Sequence, residues 1–358
     1  MYRVFHHNRP RTRRPGGSGY RERLVPRSPW RDTRHEVVHA VKRERRLALA
    51  ALGAAFVLLT AIGAGGAATA AAGSLDTVTV VSPPFEPTAL AFYADARGFF
   101  RKHGIEVDVK VVEAGPTIAA AIASGAATFG PSDIGGFLNA KPRGAPLKLV
   151  AAGGLFTPRA QTAALVSAPG KRVANARDLV GKRVGIDRTG SIAHVALLKW
   201  LQRGGVRVED VELTFYAFPE MIGPLSRGAI DAAVLPEPWL TQAKQQGAAL
   251  SARIFASVCT KACLWTIWVA RSDVDRTLAA RFRNAIQEAA AWANRKESRA
   301  AIDAILARRT ELPPSVIRSM THSTFATRLR LARTQPWIDV YKEFGLIPPT
   351  FTAPDLVK

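Results

Sequence analysis

The tract Thr189-Gly190-Ser191-Ile192-Ala193-His194 is where residue types and spacing in this chain could do chemistry. It is entered from Val184-Gly185-Ile186 and followed by the apolar run Val195 to Leu201, so it reads as strand, small polar turn and helix. A helix that opens on Gly190 and Ser191 points unpaired N–H groups and a positive dipole end at whatever lies beyond it. Such a turn can cradle a small anionic group. An ordinary Ser cap produces the same local pattern, so the surroundings must decide between the two.

A second signal is an internal echo. Ser124-Gly125-Ala126-Ala127-Thr128-Phe129-Gly130-Pro131-Ser132-Asp133 parallels Arg227-Gly228-Ala229-Ile230-Asp231-Ala232-Ala233-Val234-Leu235-Pro236-Glu237. In each, a helix ends at Gly, a short apolar strand follows, and the strand stops at Pro beside an acidic residue. In open α/β sheets ligands bind beyond the carboxyl ends of the strands. If both strand ends face one cleft, Ser132, Asp133 and Glu237 line it, with the loop Pro83-Pro84-Phe85-Glu86 and the turn 189–194.

Each of these residues has a second reading. Asp133 could serve only as an acid at a helix N-terminus, and Glu237 only in a salt bridge within its own lobe. Trp239 is either core or an apolar platform. His194, in the first helical turn, is a packed or capping histidine or a ligand contact. Phe85, carried with Pro84 on a proline-stiffened loop, is a pocket candidate, because an aromatic exposed there is otherwise hard to explain. Glu220 follows Pro219 and reads as a first-turn residue with a secondary role at most.

The elements that must position these residues alternate. Strand 77–82, helix 88–103 ending at Gly104, strand 105–112, helix 117–123, strand 127–130, helix 134–140 and strand 147–152 form a first lobe. A second alternation follows: strand 183–187, helix 192–203, strand 211–216, helix 221–226, strand 229–235 and helix 239–246. Strands alternating with helices argue for mainly parallel sheets flanked by helices, an α/β class with two lobes. The β-rich runs 162–167 and 264–270 bracket the second lobe as hinge connections. The expected organisation is therefore lobe 1 at 76–165, lobe 2 at 166–263, and a return to lobe 1 with C-terminal helices at 264–347. The last stretch, 348–358, reads as a surface strap.

Length and composition agree. A chain of 358 residues with 47% apolar content can bury a large core in two units or one two-lobed unit. The formal charge is +22, and residues 1–72 hold 14 of the Lys and Arg against 4 Asp and Glu. The arginines of 1–40 lie among Pro, Gly and Ser without apolar periodicity, as in a disordered extension. The rest of the charge is scattered, with no basic run interleaved with aromatics, so nucleic acid is not expected as a partner.

Residues 41–72 have a basic start, an apolar stretch and the small-residue end Ala70-Ala71-Ala72, the pattern of an export signal cleaved after Ala72. An uncleaved membrane tether is the alternative, and Val41 could be the true initiator. No Cys precedes Cys259, which excludes lipid attachment at the end of the signal. Cys259 and Cys263 form either a short-loop disulfide in an oxidising compartment or remain free. A metal site is disfavoured because no His or further Cys lies nearby, and no cofactor is expected.

Together the tracts Ala91 to Val107, Asp178 to Gly185, Thr189 to His194 and Glu237-Pro238-Trp239-Leu240 resemble the substrate-binding proteins of nitrate, sulfonate and taurine ABC importers, a family that includes thiamine-precursor binders. The resemblance covers residues 76–270 in order. It implies the two-lobed periplasmic binding protein fold of the second type, hinge closure on a small-molecule solute, and delivery by a monomer to the transmembrane subunits of an ABC permease. It also implies that Ser132, Thr189, Gly190, Ser191 and Glu237 contact ligand. Hydroxyls and N–H groups at helix starts suit a sulfonate, carboxylate or nitrate. Asp133 and Glu237 repel a bare anion, which favours a zwitterion such as taurine or a donor-rich neutral solute such as an aminopyrimidine. The ligand stays open, a small organosulfonate being the leading reading. An enzyme on the same fold would need a positioned nucleophile or general base. No Ser, His and Asp set is evident, and only His194 and Glu220 could act as acid or base.

Overall fold

The computed structural model describes residues 75–112 and 116–358. The expected basic extension and export signal lie outside the described residues. Two five-stranded sheets dominate. The first takes β1 (Asp76–Ser82), β2 (Ile105–Val111), β3 (Phe129–Asp133), β4 (Leu147–Ala152) and β12 (Thr266–Arg271) in the order β2-β1-β3-β12-β4. The second takes β6 (Ala163–Ser167), β7 (Arg183–Ile186), β8 (Glu212–Phe215), β9 (Ala232–Pro236) and β10 (Ala249–Ala252) in the order β10-β6-β9-β7-β8.

Read from the opposite edge, the second order reproduces the first strand for strand. In each sheet one antiparallel strand arrives from beyond the other lobe: β6 pairs antiparallel with β9, and β12 with β3. The remaining neighbours of β1 and β7 run parallel. The internal echo noted above is therefore an architectural repeat. Gly125 and Gly228, at φ +80° and +70°, end the equivalent helices Pro116–Ala123 and Phe218–Ser226 in the left-handed region that favours glycine.

Several expectations shift. The run 162–167 is mostly β6, inside the second sheet, and 264–270 runs from the crossing itself into most of β12; residues Ala163–Ser167 and Thr266–Ala270 are buried, as strands covered on both faces must be. The chain crosses between lobes through β5 (Gly154–Phe156) and β11 (Cys263–Leu264), which pair antiparallel with each other, while β13 (Thr324–Phe325) pairs with the other edge of β5. These three short strands give no periodic signal of their own, and β10 was likewise not expected. The helix expected over 88–103 is divided at Gly98 (φ +69°) into α1 (Leu90–Ala96) and α2 (Phe99–Lys102). The tail 348–358 is anchored by its apolar side chains: Leu356 is fully buried and Phe351 nearly so.

Helix α8 (Arg276–Ala293), the eighth among the described residues, starts at the Asp275 cap, which accepts from the Leu278 N–H at 2.7 Å, and lays Ala279, Phe282, Ile286 and Ala290 on the first sheet. Phe282 stacks on Phe129 of β3 at 3.8 Å, which anchors the C-terminal half to lobe 1. Cys259 and Cys263 are fully buried and disulfide-bonded, beside the crossing strand β11.

Candidate functional site

The residues that could do chemistry converge because both sheets stop at the same edge. Strands β1, β3, β7 and β9 end at Ser82, Asp133, Ile186 and Pro236. Proline at 131 and 236 cannot donate to a ladder, and it falls where pairing with the parallel neighbour has already ceased, since β3 pairs with β1 only at Phe129 and β9 with β7 only at Ala232 and Ala233. Loops that follow the strands meet across the lobes at two places.

The first meeting is polar. Asp133 caps α4 (Ile134–Ala140), accepting from the Gly136 N–H at 2.9 Å, and its other oxygen pairs with Arg188 of the second lobe. Arg188 also pairs with Asp187 at 2.7 Å, and Asp187 accepts from the Ser191 hydroxyl at 2.5 Å. Burial pushes the Asp187 carboxyl up, against Arg188 and Ser191, and Asp133 holds the Arg188 guanidinium firmly protonated. A side chain added at Gly136 would meet Arg188 at 2.9 Å and the Ser132 hydroxyl at 3.3 Å, so these groups surround one spot. The neighbouring turn is pinned to lobe 1 through its backbone. The Gly190 carbonyl accepts from Asn139 Nδ2 at 2.6 Å and from the Tyr341 hydroxyl at 2.7 Å, and Gly190 itself adopts φ +72°.

The second meeting is aromatic. Phe85, on the loop after β1, lies 5.3 Å from Trp239, which opens α7 (Trp239–Gln245), and Trp239 stacks on Phe218 at 5.2 Å. All three are half-buried.

The structure sorts the expected residues. Ser132, Arg188 and exposed Thr189 present polar groups at the junction, with Pro84, Phe85 and Trp239 half-buried at the aromatic end. Ser191, Gly190 and His194 are instead built into the turn. Ser191 is the cap of α5 (Ile192–Arg203), accepting from the His194 N–H at 3.1 Å, and the Gly190 N–H donates to His194 Nδ1 at 3.0 Å. Two of the N–H groups expected to greet a ligand are thus used internally. Burial lowers the affinity of His194 for a second proton, consistent with a neutral capping ring. Glu237 is 2% exposed and commits both oxygens inside the protein, accepting from the Thr241 N–H and hydroxyl at 3.0 and 2.9 Å and from the Thr321 N–H at 3.1 Å. Neither expectation is met as stated: the partners are neutral rather than cationic, and Thr321 belongs to the C-terminal return rather than to lobe 2. Glu220 accepts from the Ala217 N–H at 3.3 Å as a helix-start residue.

Sequence reasoning missed Arg188, Asp187, Asn139, Tyr341 and Phe218. Arg188 had a usable signal, a cation immediately before a turn thought to bind anions; Tyr341 had none, since it lies 151 residues from its partner.

The family profile described as NMT1/THI5 like matches residues 87–300, and the chain belongs to that family. The fold is that of the periplasmic binding proteins. Among solved structures, it is similar to the periplasmic aliphatic sulphonate binding protein SsuA from Escherichia coli, at 19% identity and TM-score 0.65, over 80% of this chain and 92% of that one. It is also similar to the alkanesulfonate-binding protein SsuA from Xanthomonas axonopodis pv. citri bound to MOPS, at 18% identity and TM-score 0.65, over 80% and 99%. The desulfurization enzyme DSZB matches at 18% identity and TM-score 0.58, over 79% and 96%. A search of curated protein sequences found no match. Among the described residues no helix is long and apolar enough to cross a membrane, and no cluster of His, Cys, Asp or Glu could hold a metal.

Proposed function

We propose that this chain is the extracytoplasmic solute-binding subunit of an ABC importer, which closes its lobes on a small acid-bearing solute, an organosulfonate or taurine-like molecule, and as a monomer hands it to the permease. The observation that carries this reading is Arg188, a cation from lobe 2 that faces Asp133 of lobe 1 beside Ser132 and Thr189. A guanidinium can grip a sulfonate or carboxylate through paired N–H donors. Two carboxylates share that one cation, so a solute with its own positive or donor-rich group balances the site better than nitrate or bicarbonate. An aminopyrimidine remains the runner-up on the same ground. The similarity to sulfonate-binding proteins supports the acid group.

Catalysis is not proposed, despite the similarity to a desulfurization enzyme. The two acid or base candidates, His194 and Glu220, are engaged by the Gly190 and Ala217 N–H groups in local caps. Export and periplasmic residence belong to the same reading and rest on the pattern of residues 41–72.

A thermal-shift screen against alkanesulfonates, taurine, nitrate, bicarbonate, carboxylates and aminopyrimidines tests it. A ligand at a hundredfold excess over Kd stabilises by about 2.7 kcal/mol, a rise of several degrees. A shift with sulfonates or taurine is expected; a shift confined to inorganic anions or aminopyrimidines would replace the ligand class, and turnover of a sulfinate or sulfonate would replace the function.

A further inference from the structure

The segment Thr321–Ser323 ties the two aromatic arms together from behind. Phe85 is followed by Glu86, and Trp239 is preceded by Glu237 and Pro238; both glutamates are buried, at 1% and 2% exposed. The Thr321 N–H donates to Glu237 Oε1 at 3.1 Å, and the Ser323 N–H to Glu86 Oε2 at 2.7 Å. Between them, His322 places Nδ1 2.6 Å from Glu86 Oε1. The next residues, Thr324–Phe325, are β13 on the crossing strand β5.

Hydrogen-bond accounting fixes where one proton sits. His322 Nε2 lies 3.2 Å from the Ile317 carbonyl, which can only accept, so Nε2 carries a proton. A bare Nδ1 and a bare carboxylate oxygen are both acceptors and would repel at 2.6 Å. The contact therefore holds a proton, either as Glu86–OH donating to Nδ1 or as His322⁺ donating to the carboxylate.

We propose that Thr321–Ser323 is a proton-gated brace between the lobes: the proton shared by Glu86 and His322 holds Phe85 in its contact with Trp239, and its loss toward alkaline pH loosens the closed form. Glu86 and His322 are positioning residues. The binding consequence rests on the function proposed above; the brace itself does not.

The groups facing Glu86 come from every element around it. Tyr93 of α1 is kept neutral by burial and by Glu86. Arg299 and Asp303 flank it from α9 (Arg299–Arg309), Arg299 favouring the carboxylate and Asp303 Oδ1 lying 3.5 Å from His322 Nε2, where it favours the proton on that nitrogen, while Arg318 faces Asp303 from α10 (Pro314–Ser319). On the lobe 2 side, Lys244 and Thr241 favour the Glu237 carboxylate against its burial. Desolvation dominates at Glu86 and pushes it from 4.5 up to about 7. A carboxyl raised on folding contributes stability that is whole below about 4.5 and is lost as pH rises through about 7.

Glu86→Gln tests this without removing the contacts, because its amide NH2 can donate to Nδ1 and its oxygen can accept from the Ser323 N–H at any pH. The melting midpoint of the parent minus that of E86Q is expected to fall from about pH 4.5 and to level off above about 7, and His322→Asn to flatten the parent's curve in the same window. Parent affinity for ethanesulfonate and taurine, measured by calorimetry, is expected to weaken about tenfold from pH 6 to 8.5, the effect of one pKa unit, and that of E86Q to stay level. A difference curve without slope overturns the brace. A sloping curve with pH-independent affinity overturns its link to capture. Absence of binding by either sulfonate at every pH overturns the functional reading and leaves the brace decided by the melting curves alone.

Discussion

Asp133 and Glu237 stand at equivalent places, each just beyond a proline near the carboxyl end of the third strand of its sheet, and they do opposite work. Asp133 keeps a side chain 23% exposed, caps its own helix and reaches across the junction to Arg188. Glu237 is 2% exposed and turns inward to Thr241 and Thr321. A repeated fold thus supplies two acids at one junction, and the neighbours decide which stays available to a ligand. Lobe 1 meets a cation there; lobe 2 meets the backbone of a returning segment that has its own N–H to satisfy. An acid beside an N–H deep in the protein is stabilised by that bond and is costly to remove, whereas an acid facing a half-buried, partly solvated cation is held more weakly and can exchange partners.

The largest effect expected from breaking this contrast is Glu237→Ala. It leaves the buried Thr241 N–H and the half-buried Thr321 N–H without an acceptor, at about 3 kcal/mol, so the urea midpoint should fall well below that of the parent. Glu237→Gln should recover most of the loss. Sensitivity of ligand choice rather than of stability to this change would return Glu237 to the binding site.

Next comes Arg188→Ala, which strips the junction of its cation and leaves Asp133 and Asp187 facing each other's charge. Affinity for a sulfonate-bearing ligand is expected to drop about thirtyfold, the equivalent of ~2 kcal/mol for one charged hydrogen-bonding partner, with a smaller change in melting midpoint. Unchanged affinity by calorimetry would remove Arg188 from the site.

The smallest effect is expected from Asp133→Asn. The amide oxygen still accepts from Gly136, so the cap survives, while Arg188 loses a competing carboxylate. Affinity for simple anions should rise about threefold, within the range of an exposed ion pair, and affinity for amine-bearing solutes should fall. A rise for both would mean that Asp133 only competes for Arg188 and does not contact the amine.

Much of the fold was legible in the chain. Helices 134–140 and 192–203 and strand 147–152 stand where apolar periodicity placed them, because each is long or regular enough for its own pattern to specify it. The crossing strands β5, β11 and β13 were not legible, since two or three residues carry no period and their pairing joins segments far apart in sequence. At the candidate site, the turn 189–194 was found by residue type, but its orientation was not. Ser191 and His194 close the turn on itself, and the reach across the lobes comes from the Gly190 carbonyl and from Arg188.

By itself the sequence determined the α/β alternation, the repeat of one lobe in the other and the acids and aromatics at the strand ends, because these follow from periodicity, turn residues and local capping. Only the tertiary structure decided which of two equivalent acids faces the junction, which cation meets it, and that Glu86 and Glu237 share one brace. Those outcomes depend on partners from distant parts of the chain, and burial and charge act through space rather than along the sequence.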